Sequence, residues 1–486
     1  MLWAGRQKTS PQILPKLCET FIMSCNTCKL FVNPRKIPET EQFVWRFPRC
    51  NFCLSFCRCL WLLPKALRNG ALGAFSLLFF AWAGLKGAAI LLALAAITWL
   101  GGLLLEKLPR KKPLLILLIA AHLAVLAAFK YAGFAARSIN ALVPDLLPVF
   151  APALPLGISF YVFTAIGYLA DVSCGKVAAA RSPFRFFVFL AFFGHGPSGP
   201  IVRYDQQLPC LDAKAAERQV SLDRFCYGIK RFVLGLAKKA IIADQLALIY
   251  SRVTSVPAAT VPAPALVLGY LAYMMQLYFD FSGYSDMAIG IGSFFGLELP
   301  ENFNYPYLSC SVGEYWRRWH MSLSGWFRDY VYIPLGGSRC SLAKNCRNLL
   351  IVFLLTGLWH GAAWQYVAFG LLHGVLLCLE RLGLRKFLQC IPPFFAHAYT
   401  LVVLWFTLII FGAHGLAVHI DDAAVGLAGE ERLAHKRHDN RVDQTADQQQ
   451  YQGHQNRRSE RFDHFHVRFP PVTLPCRGRA SSAGAR

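Results

Sequence analysis

Hydrophobic residues along this chain form long runs that are separated by short polar, basic or glycine-rich breaks. From residue 71 onward the hydropathy is that of a membrane protein, although the run at 113–129 is shorter than the roughly 20 residues an upright membrane helix needs. The pattern predicts an all-α, polytopic membrane protein with about ten membrane helices, some of them re-entrant. The apolar runs lie at residues 71–83, 88–105, 113–129, 149–170, 184–193, 264–279, 348–359, 362–379 and 397–411.

Three polar interruptions modify this picture. Residues 194–200 are almost all Gly, Pro or Ser, which predicts a break of the kind tolerated in membranes only where protein or water covers the backbone. Residues 279–296 carry Asp280 and Asp286 amid glycines and predict a re-entrant or cavity-lining piece. Basic residues interleave with Phe, Leu and Ile over 221–250, which favours a helix lying along the cytoplasmic face.

The two ends of the chain differ from its middle. Residues 1–60 hold seven of the 16 cysteines without a sustained helical or strand period, so we expect a Cys-rich leader that is disordered or wrongly started. The pairs Cys25-x-x-Cys28 and Cys50-x-x-Cys53 leave a zinc ribbon as the alternative. Residues 416–486 are polar, and we expect a tail that is disordered or altered in reading frame. The predicted folded core is therefore 61–415.

Composition and charge support a membrane protein. The 486 residues are 55% hydrophobic and only 16% charged, with a mean hydropathy of +0.38, whereas soluble domains carry about 25% charged residues. The formal charge of +23 comes from 50 Lys+Arg against 27 Asp+Glu. Because the basic residues cluster between apolar runs, they fit the positive-inside rule better than nucleic-acid binding.

One block, residues 316–374, concentrates charged and aromatic side chains inside this hydrophobic protein. Arg, Asp and His stand among tryptophans there, and His360 ends a run that is otherwise apolar. Ionisable groups at membrane depth are costly, so they are usually buried in the helix bundle and tied to a pathway or a reaction. The block is therefore the predicted functional centre.

Six short sequence motifs follow one another along the chain. They are PLGISFY at 155–161, GPIVRY at 199–204, FDFSGYSD at 279–286, WHMSLSGWFRDY at 319–330, IPLGG at 333–337 and GLWHGAAW at 357–364. Together they resemble the membrane-bound O-acyltransferases, and within them the bacterial branch that O-acetylates alginate and other cell-envelope polysaccharides. That branch is related to the proteins that load D-alanine onto teichoic acids. The resemblance covers roughly residues 61–411.

The resemblance implies an O-acyltransferase with His360 as its catalytic histidine and His320 as a second, supporting one. Histidine suits a general base because its ordinary pKa lies near neutrality. The arginines of the block could bind donor or lipid phosphates through charge-assisted hydrogen bonds. The candidate substrate-binding residues are Arg317, Trp319, Arg328, Asp329 and Trp359.

The residues themselves leave structural alternatives open. His360 could bond a backbone carbonyl at a helix end, and His320 could have a structural role in the tryptophan-rich block. Arg328 and Asp329 could belong to an ion-pair network that pins the block. His122 and His373 are expected to be packing residues.

The implied donor is acetyl-CoA or another acyl thioester from the cytoplasm, with no bound cofactor and no metal. The acyl group would cross the bacterial inner membrane for an envelope polysaccharide (alginate, peptidoglycan or a similar glycan) or for a periplasmic acyltransferase partner. The expected surroundings are the lipid bilayer, in which the chain is multi-pass, and no nucleic acid.

No serine nucleophile elbow, phosphate-binding loop or dinucleotide fingerprint occurs. Direct transfer through His360, without a covalent enzyme intermediate, is therefore the simplest mechanism. A transporter or flippase is the alternative, because broken helices and intramembrane charges also mark transport pathways. A catalytically impaired member of the family is a further alternative.

Overall fold

The computed structural model describes residues 65–150, 152–194, 196, 198–211, 221–256 and 260–413. These residues form helices and no strands, which confirms the all-α prediction. The predicted leader at 1–60, its alternative zinc ribbon and the polar tail at 416–486 lie outside the described residues.

Sixteen α-helices occur among the described residues, and they are numbered here in chain order. They are α1 (Lys65–Ala83), α2 (Leu85–Lys107), α3 (Lys111–Lys130), α4 (Ala132–Leu142), α5 (Ile158–Ser173), α6 (Pro183–Ala191), α7 (Tyr204–Leu211), α8 (Leu222–Ala237), α9 (Asp244–Thr254), α10 (Ala263–Phe294), α11 (Val312–Arg318), α12 (Met321–Phe327), α13 (Leu342–His360), α14 (Trp364–Leu379), α15 (Arg385–Cys390) and α16 (Pro393–Gly412). π-Helical turns at Lys238–Ala243, Arg328–Tyr332 and Glu380–Leu384 follow α8, α12 and α14.

Four helical segments among the described residues are long and apolar enough to cross a membrane. They are Leu85–Lys107, Lys111–Lys130, Trp364–Cys390 and Pro393–Gly412. The predicted count of about ten membrane helices is not confirmed. One reason is length: α6 has 9 residues and α5 has 16, and nine residues rise only about 14 Å. Another is polarity, since the first half of α13 carries Lys344 and Arg347.

Most of the piece predicted to be re-entrant or cavity-lining, residues 279–294, continues the helix that precedes it. Residues 263–294 form the single 32-residue helix α10. Its glycines serve close packing instead, because a Cβ at Gly283 would lie 2.7 Å from the carbonyl oxygen of Gly235 on α8. Asp286 is paired within the same helix contact, 2.6 Å from both Arg231 and Lys238. The break predicted near 194–200 agrees with the end of α6 at Ala191, because the described residues of 192–203 are not helical.

Two contacts position the tryptophan-rich block. The α12 residue Trp326 stacks on Phe163 of α5 at 4.1 Å between ring centroids, and its indole N–H donates to the Phe163 carbonyl at 2.9 Å. Helices α13 and α14 cross at glycines, because a Cβ at Gly357 would collide with the carbonyl oxygen of Tyr366. These contacts join α12 to α5 and the end of α13 to α14, and Trp359 of α13 also lies 5.4 Å from Phe160 of α5 between ring centroids.

Candidate functional site

His360 is the last residue of α13, and its imidazole stands among aromatic rings. The ring centroids of Trp359, Phe411 and Phe369 lie 5.1, 5.2 and 6.1 Å from that of His360. The side chain is partly exposed, and neither ring nitrogen makes a hydrogen bond within the described part of the chain. His360 therefore has both nitrogen atoms free for a substrate.

Two residues from the end of α3 cap the carboxyl end of α13. Lys130 donates to the backbone carbonyl of Trp359, and the Tyr131 hydroxyl donates to the carbonyl of Leu358 at 2.7 Å. The last carbonyls of a helix lack intrahelical partners and need such donors. Because Lys130 and Tyr131 occupy these two carbonyls, His360 is not required as the cap of its own helix.

His320 lies between α11 and α12 and is completely buried. Its backbone is left-handed, with φ 45° and ψ 53°, a conformation that costs a non-glycine residue about 1–3 kcal/mol and that clusters at functional sites. Its Nδ1 lies 3.0 Å from Oδ1 of Asn302. The ring packs edge-on against Phe281, with centroids 4.7 Å apart. His320 is thus held in a fixed orientation at the expense of backbone strain.

The Trp359 indole joins the two histidines, which are 40 positions apart in the sequence. Its ring lies edge-to-face to His320 at 5.6 Å and to His360 at 5.1 Å between centroids. The indole Nε1 of Trp359 and Nε2 of His320 are both buried without a hydrogen-bond partner in the described residues. Unpaired buried polar groups cost about 1–3 kcal/mol each, so two at one place mark where a polar substrate can bind.

The other candidate substrate-binding residues lie in different surroundings. Trp319 is buried in an aromatic cluster, edge-on to Phe303 at 5.0 Å and stacked with Tyr315 at 5.5 Å between centroids. Arg317 is exposed in the last turn of α11. Neither has a ring contact or hydrogen bond to His360 within the described residues.

Asp329 lies between two arginines. Its carboxylate is 2.7 Å from Nε of Arg328 and 2.6 Å from Nη2 of Arg203. Burial alone would raise the pKa of Asp329, but the hydrogen bonds and charges of Arg328 and Arg203 outweigh it and lower that pKa below its ordinary value. This is the ion-pair network that remained open as an alternative role for Arg328 and Asp329.

Two further histidines, His122 and His373, contact structural partners. In α3, His122 lies 2.8 Å from both the Thr98 hydroxyl and the Leu118 carbonyl, so both of its ring nitrogens are satisfied. In α14, the buried Nδ1 of His373 accepts a hydrogen bond from the Trp316 indole at 3.1 Å. The arrangement of His122 agrees with its expected packing role, whereas Nε2 of His373 is buried without a hydrogen-bond partner in the described residues.

Sequence reasoning missed three residues of this site: Lys130, Tyr131 and Asn302. Lys130 directly follows the apolar run at 113–129, where a lysine is ordinarily an interfacial anchor. The adjacent lysine and tyrosine at the end of this apolar run are the only local pattern that could have indicated a cap for another helix. Asn302 stands in a loop of ordinary composition, and nothing local distinguishes it from Asn304.

Comparison with known proteins gives one consistent family. Residues 178–418 match the membrane-bound O-acyltransferase family. A protein named "Probable alginate O-acetylase" from Pseudomonas putida is 40% identical over 371 residues, which are 74% of each chain. The peptidoglycan O-acetyltransferase of Helicobacter pylori is 35% identical over 348 residues, 66% of each chain. The teichoic acid D-alanyltransferase of Bacillus subtilis is 34% identical over 233 residues, 46% of this chain and 58% of that protein.

The chain spans between about half and three quarters of the length of the alginate O-acetylases that it matches, from 52% in Pseudomonas fluorescens to 74% in Pseudomonas putida. These matches support O-acyltransferase activity, and the apolar helices agree with a membrane protein. The chain belongs to the membrane-bound O-acyltransferase family.

Proposed function

We propose that this chain transfers an acetyl group from a thioester to a hydroxyl group, with His360 as the general base. The observation that carries the proposal is the His360 imidazole, which lies beside the buried His320 and Trp359, is partly exposed and makes no hydrogen bond to any described residue. A base must approach its proton within about 2.6–3.2 Å. His360 can do so without first breaking a bond to the protein.

The reaction forms one bond and breaks one. The acceptor hydroxyl oxygen attacks the thioester carbonyl carbon while His360 takes the hydroxyl proton. The carbon–sulfur bond then breaks, and His360 returns the proton to the departing sulfur, which leaves an ester and a free thiol. The indole N–H of Trp359 is a buried donor without a partner among the described residues, and we assign it to the carbonyl oxygen on which negative charge develops.

The donor is acetyl-CoA or another acyl thioester that arrives from the cytoplasm. The acyl group crosses the bacterial inner membrane, in which the chain is multi-pass, and reaches an envelope polysaccharide or a periplasmic acyltransferase partner. Support comes from the relatives, which are named for alginate, peptidoglycan and teichoic acid. In this proposal Arg328 and Asp329 stabilise the block through their ion pairs.

Substitution of the two histidines tests the proposal. His360→Ala should abolish detectable acetylation, because a general base typically contributes about 10²- to 10⁴-fold. His360→Gln keeps a polar side chain but cannot exchange a proton near neutral pH, so it should be equally inactive. His320→Ala should reduce activity. The measurement is the O-acetyl content of the envelope glycan, normalised to the amount of protein in the membrane.

His122→Ala is the control variant, because His122 is a buried histidine bonded to Thr98 and Leu118. It should lower the amount of folded protein and leave the acetylation per folded molecule unchanged. Wild-type acetylation by His360→Ala at equal expression would contradict the mechanism and favour a transporter.

A further inference from the structure

The carboxamide of Asn302 is the centre of a buried hydrogen-bond cluster beside His320. Its Oδ1 lies 3.0 Å from Nδ1 of His320, 3.2 Å from the backbone nitrogen of Ser322 and 2.9 Å from the Ser322 hydroxyl. Its Nδ2 donates to the Ser285 hydroxyl at 3.2 Å. Asn302 is 1% exposed. Both ends of the amide are therefore engaged, which fixes the side chain.

One of these contacts decides which nitrogen of His320 carries the proton. A backbone N–H can only donate, so the Asn302 atom that faces the Ser322 amide must be the oxygen. The same oxygen faces Nδ1 of His320. An oxygen without hydrogen can only accept, and Nδ1 must therefore carry the proton.

The other nitrogen of His320 then holds a free electron pair. His320 lies outside the four candidate membrane spans. Burial, together with the nearby His360, lowers the pKa of His320 well below the ordinary histidine value, so its ring is neutral near pH 7. In a neutral ring with the proton on Nδ1, Nε2 is an acceptor. That Nε2 is buried and has no partner among the described residues.

We propose that Asn302 is a positioning residue that fixes His320 with its proton on Nδ1, so that Nε2 accepts a hydrogen bond from a second hydroxyl group of the acceptor, next to the one that attacks. The neighbouring hydroxyl donates its proton to His320, and the attacking hydroxyl keeps its single proton for His360. His320 thus orients the acceptor, and His360 removes the proton of the attacking group. This inference rests on the acyl transfer proposed above. The backbone strain at His320 has a purpose here, because it places the ring where Asn302 can reach Nδ1.

Three variants of the full chain test the inference. Asn302→Ala removes the acceptor for Nδ1–H, and Asn302→Asp retains an oxygen acceptor at the same place. Ser322→Ala is the matched control, because it removes a donor to the same oxygen of Asn302 and leaves the bond to His320 intact. Each variant is purified in lipid nanodiscs with ¹⁵N-labelled histidine, and His320→Gln assigns the His320 signals by their loss.

The wild-type spectrum should show His320 with a protonated Nδ1 and an unprotonated Nε2. Asn302→Ala should shift the population toward protonated Nε2, with kcat lowered about 10- to 100-fold and the donor KM little changed, as for the loss of other orienting partners. Asn302→Asp should restore the Nδ1-protonated form and most of kcat. Ser322→Ala should keep the wild-type form and most of kcat.

Three results would overturn the inference. One is a wild-type His320 that is protonated on Nε2, a result that needs only the assignment variant His320→Gln and none of the Asn302 or Ser322 variants. The second is an Asn302→Ala enzyme with wild-type kcat, and the third is an equal loss of kcat in Ser322→Ala. The spectra show which nitrogen of His320 is protonated even if the His360 variants contradict acyl transfer. Failure of one proposal can therefore be distinguished from failure of the other.

Discussion

Asp329 illustrates at the scale of one residue how a charge is kept in this hydrophobic protein. Arg203 and Arg328 both contact its carboxylate, and Arg203 also lies over the Tyr330 ring, 5.2 Å from its centroid. Arg203 comes from the non-helical segment after α6, whereas Asp329 and Tyr330 follow α12. The ion pair therefore joins two segments that are far apart in sequence.

The lowered pKa of Asp329 predicts a pH-dependent contribution to stability. A carboxyl group with a folded-state pKa below its unfolded value of about 3.9 stabilises the fold at higher pH, and this stabilisation is lost as the pH falls through the folded pKa. Asp329→Asn should therefore destabilise the protein near pH 7 by about 1 kcal/mol or less, because the group is only partly buried. The difference in unfolding temperature from the wild type should shrink as the pH falls below the unfolded value of about 3.9 and through the lower folded pKa.

Thermal unfolding in detergent, followed by tryptophan fluorescence from pH 7 to pH 3, measures this difference. Asp145→Asn is the control, because Asp145 is exposed and makes no ion pair in the described part of the chain. A difference for Asp329→Asn that grew on acidification would contradict the sign of the argument.

At the scale of elements, the α13–α14 crossing determines where His360 lies. Gly357 is three residues before His360, and its Cα–H side faces the Tyr366 carbonyl of α14. Gly370 of α14 makes the reciprocal contact, because a Cβ there would collide with the carbonyl of Phe353. The two backbones are thus in direct contact, and the Lys130 and Tyr131 cap holds the end of α13 from the other helix, α3.

Adding a single methyl group at this crossing should move the helices apart. Gly357→Ala should destabilise the protein by about 1–3 kcal/mol, the typical cost of overpacking, and should reduce acetylation because His360 moves with the helix end. Gly70→Ala in α1 adds the same methyl group where no atom of the described residues lies within 4 Å. That variant should be neutral or more stable by about 0.5–1 kcal/mol, since alanine favours helices.

Unfolding temperature and acetylation are measured for both glycine variants at equal membrane content. An equal effect of the two substitutions would show that helix propensity, rather than the crossing, controls the result.

Local sequence patterns predicted those features that depend on neighbours in the chain. The apolar runs predicted the all-α fold. The sequence motifs identified His320, Trp359 and His360, which lie together in the structure. Contacts between distant residues left no such pattern. Lys130 bonds a carbonyl 229 positions away. The glycines near Asp286 hid the continuous helix α10, because a glycine that admits a neighbouring helix looks the same in sequence as one that interrupts a helix.

At the scale of the whole molecule, the outer surface carries apolar side chains that no described residue covers. Ile116 and Leu117 in α3 are 67% and 65% exposed. Single exposed apolar residues are normal in soluble proteins. Here, however, they line a 20-residue helix that is apolar enough to cross a membrane, so we expect the acyl chains of lipids to cover them.

Replacing one of these residues by arginine distinguishes a lipid-facing surface from a water-facing one. An exposed leucine changed to arginine is usually tolerated within about 0.5 kcal/mol when the surface faces water. Near the middle of a membrane helix the same change costs about 2.5–3.5 kcal/mol. Leu117→Arg should therefore sharply reduce the fraction of protein that remains in the membrane pellet after alkaline carbonate extraction. Leu108→Arg should not, because Leu108 is also exposed but lies between α2 and α3 beside Lys107 and Arg110. Full retention of Leu117→Arg in the pellet, at the level of Leu108→Arg, would show that α3 does not cross the bilayer.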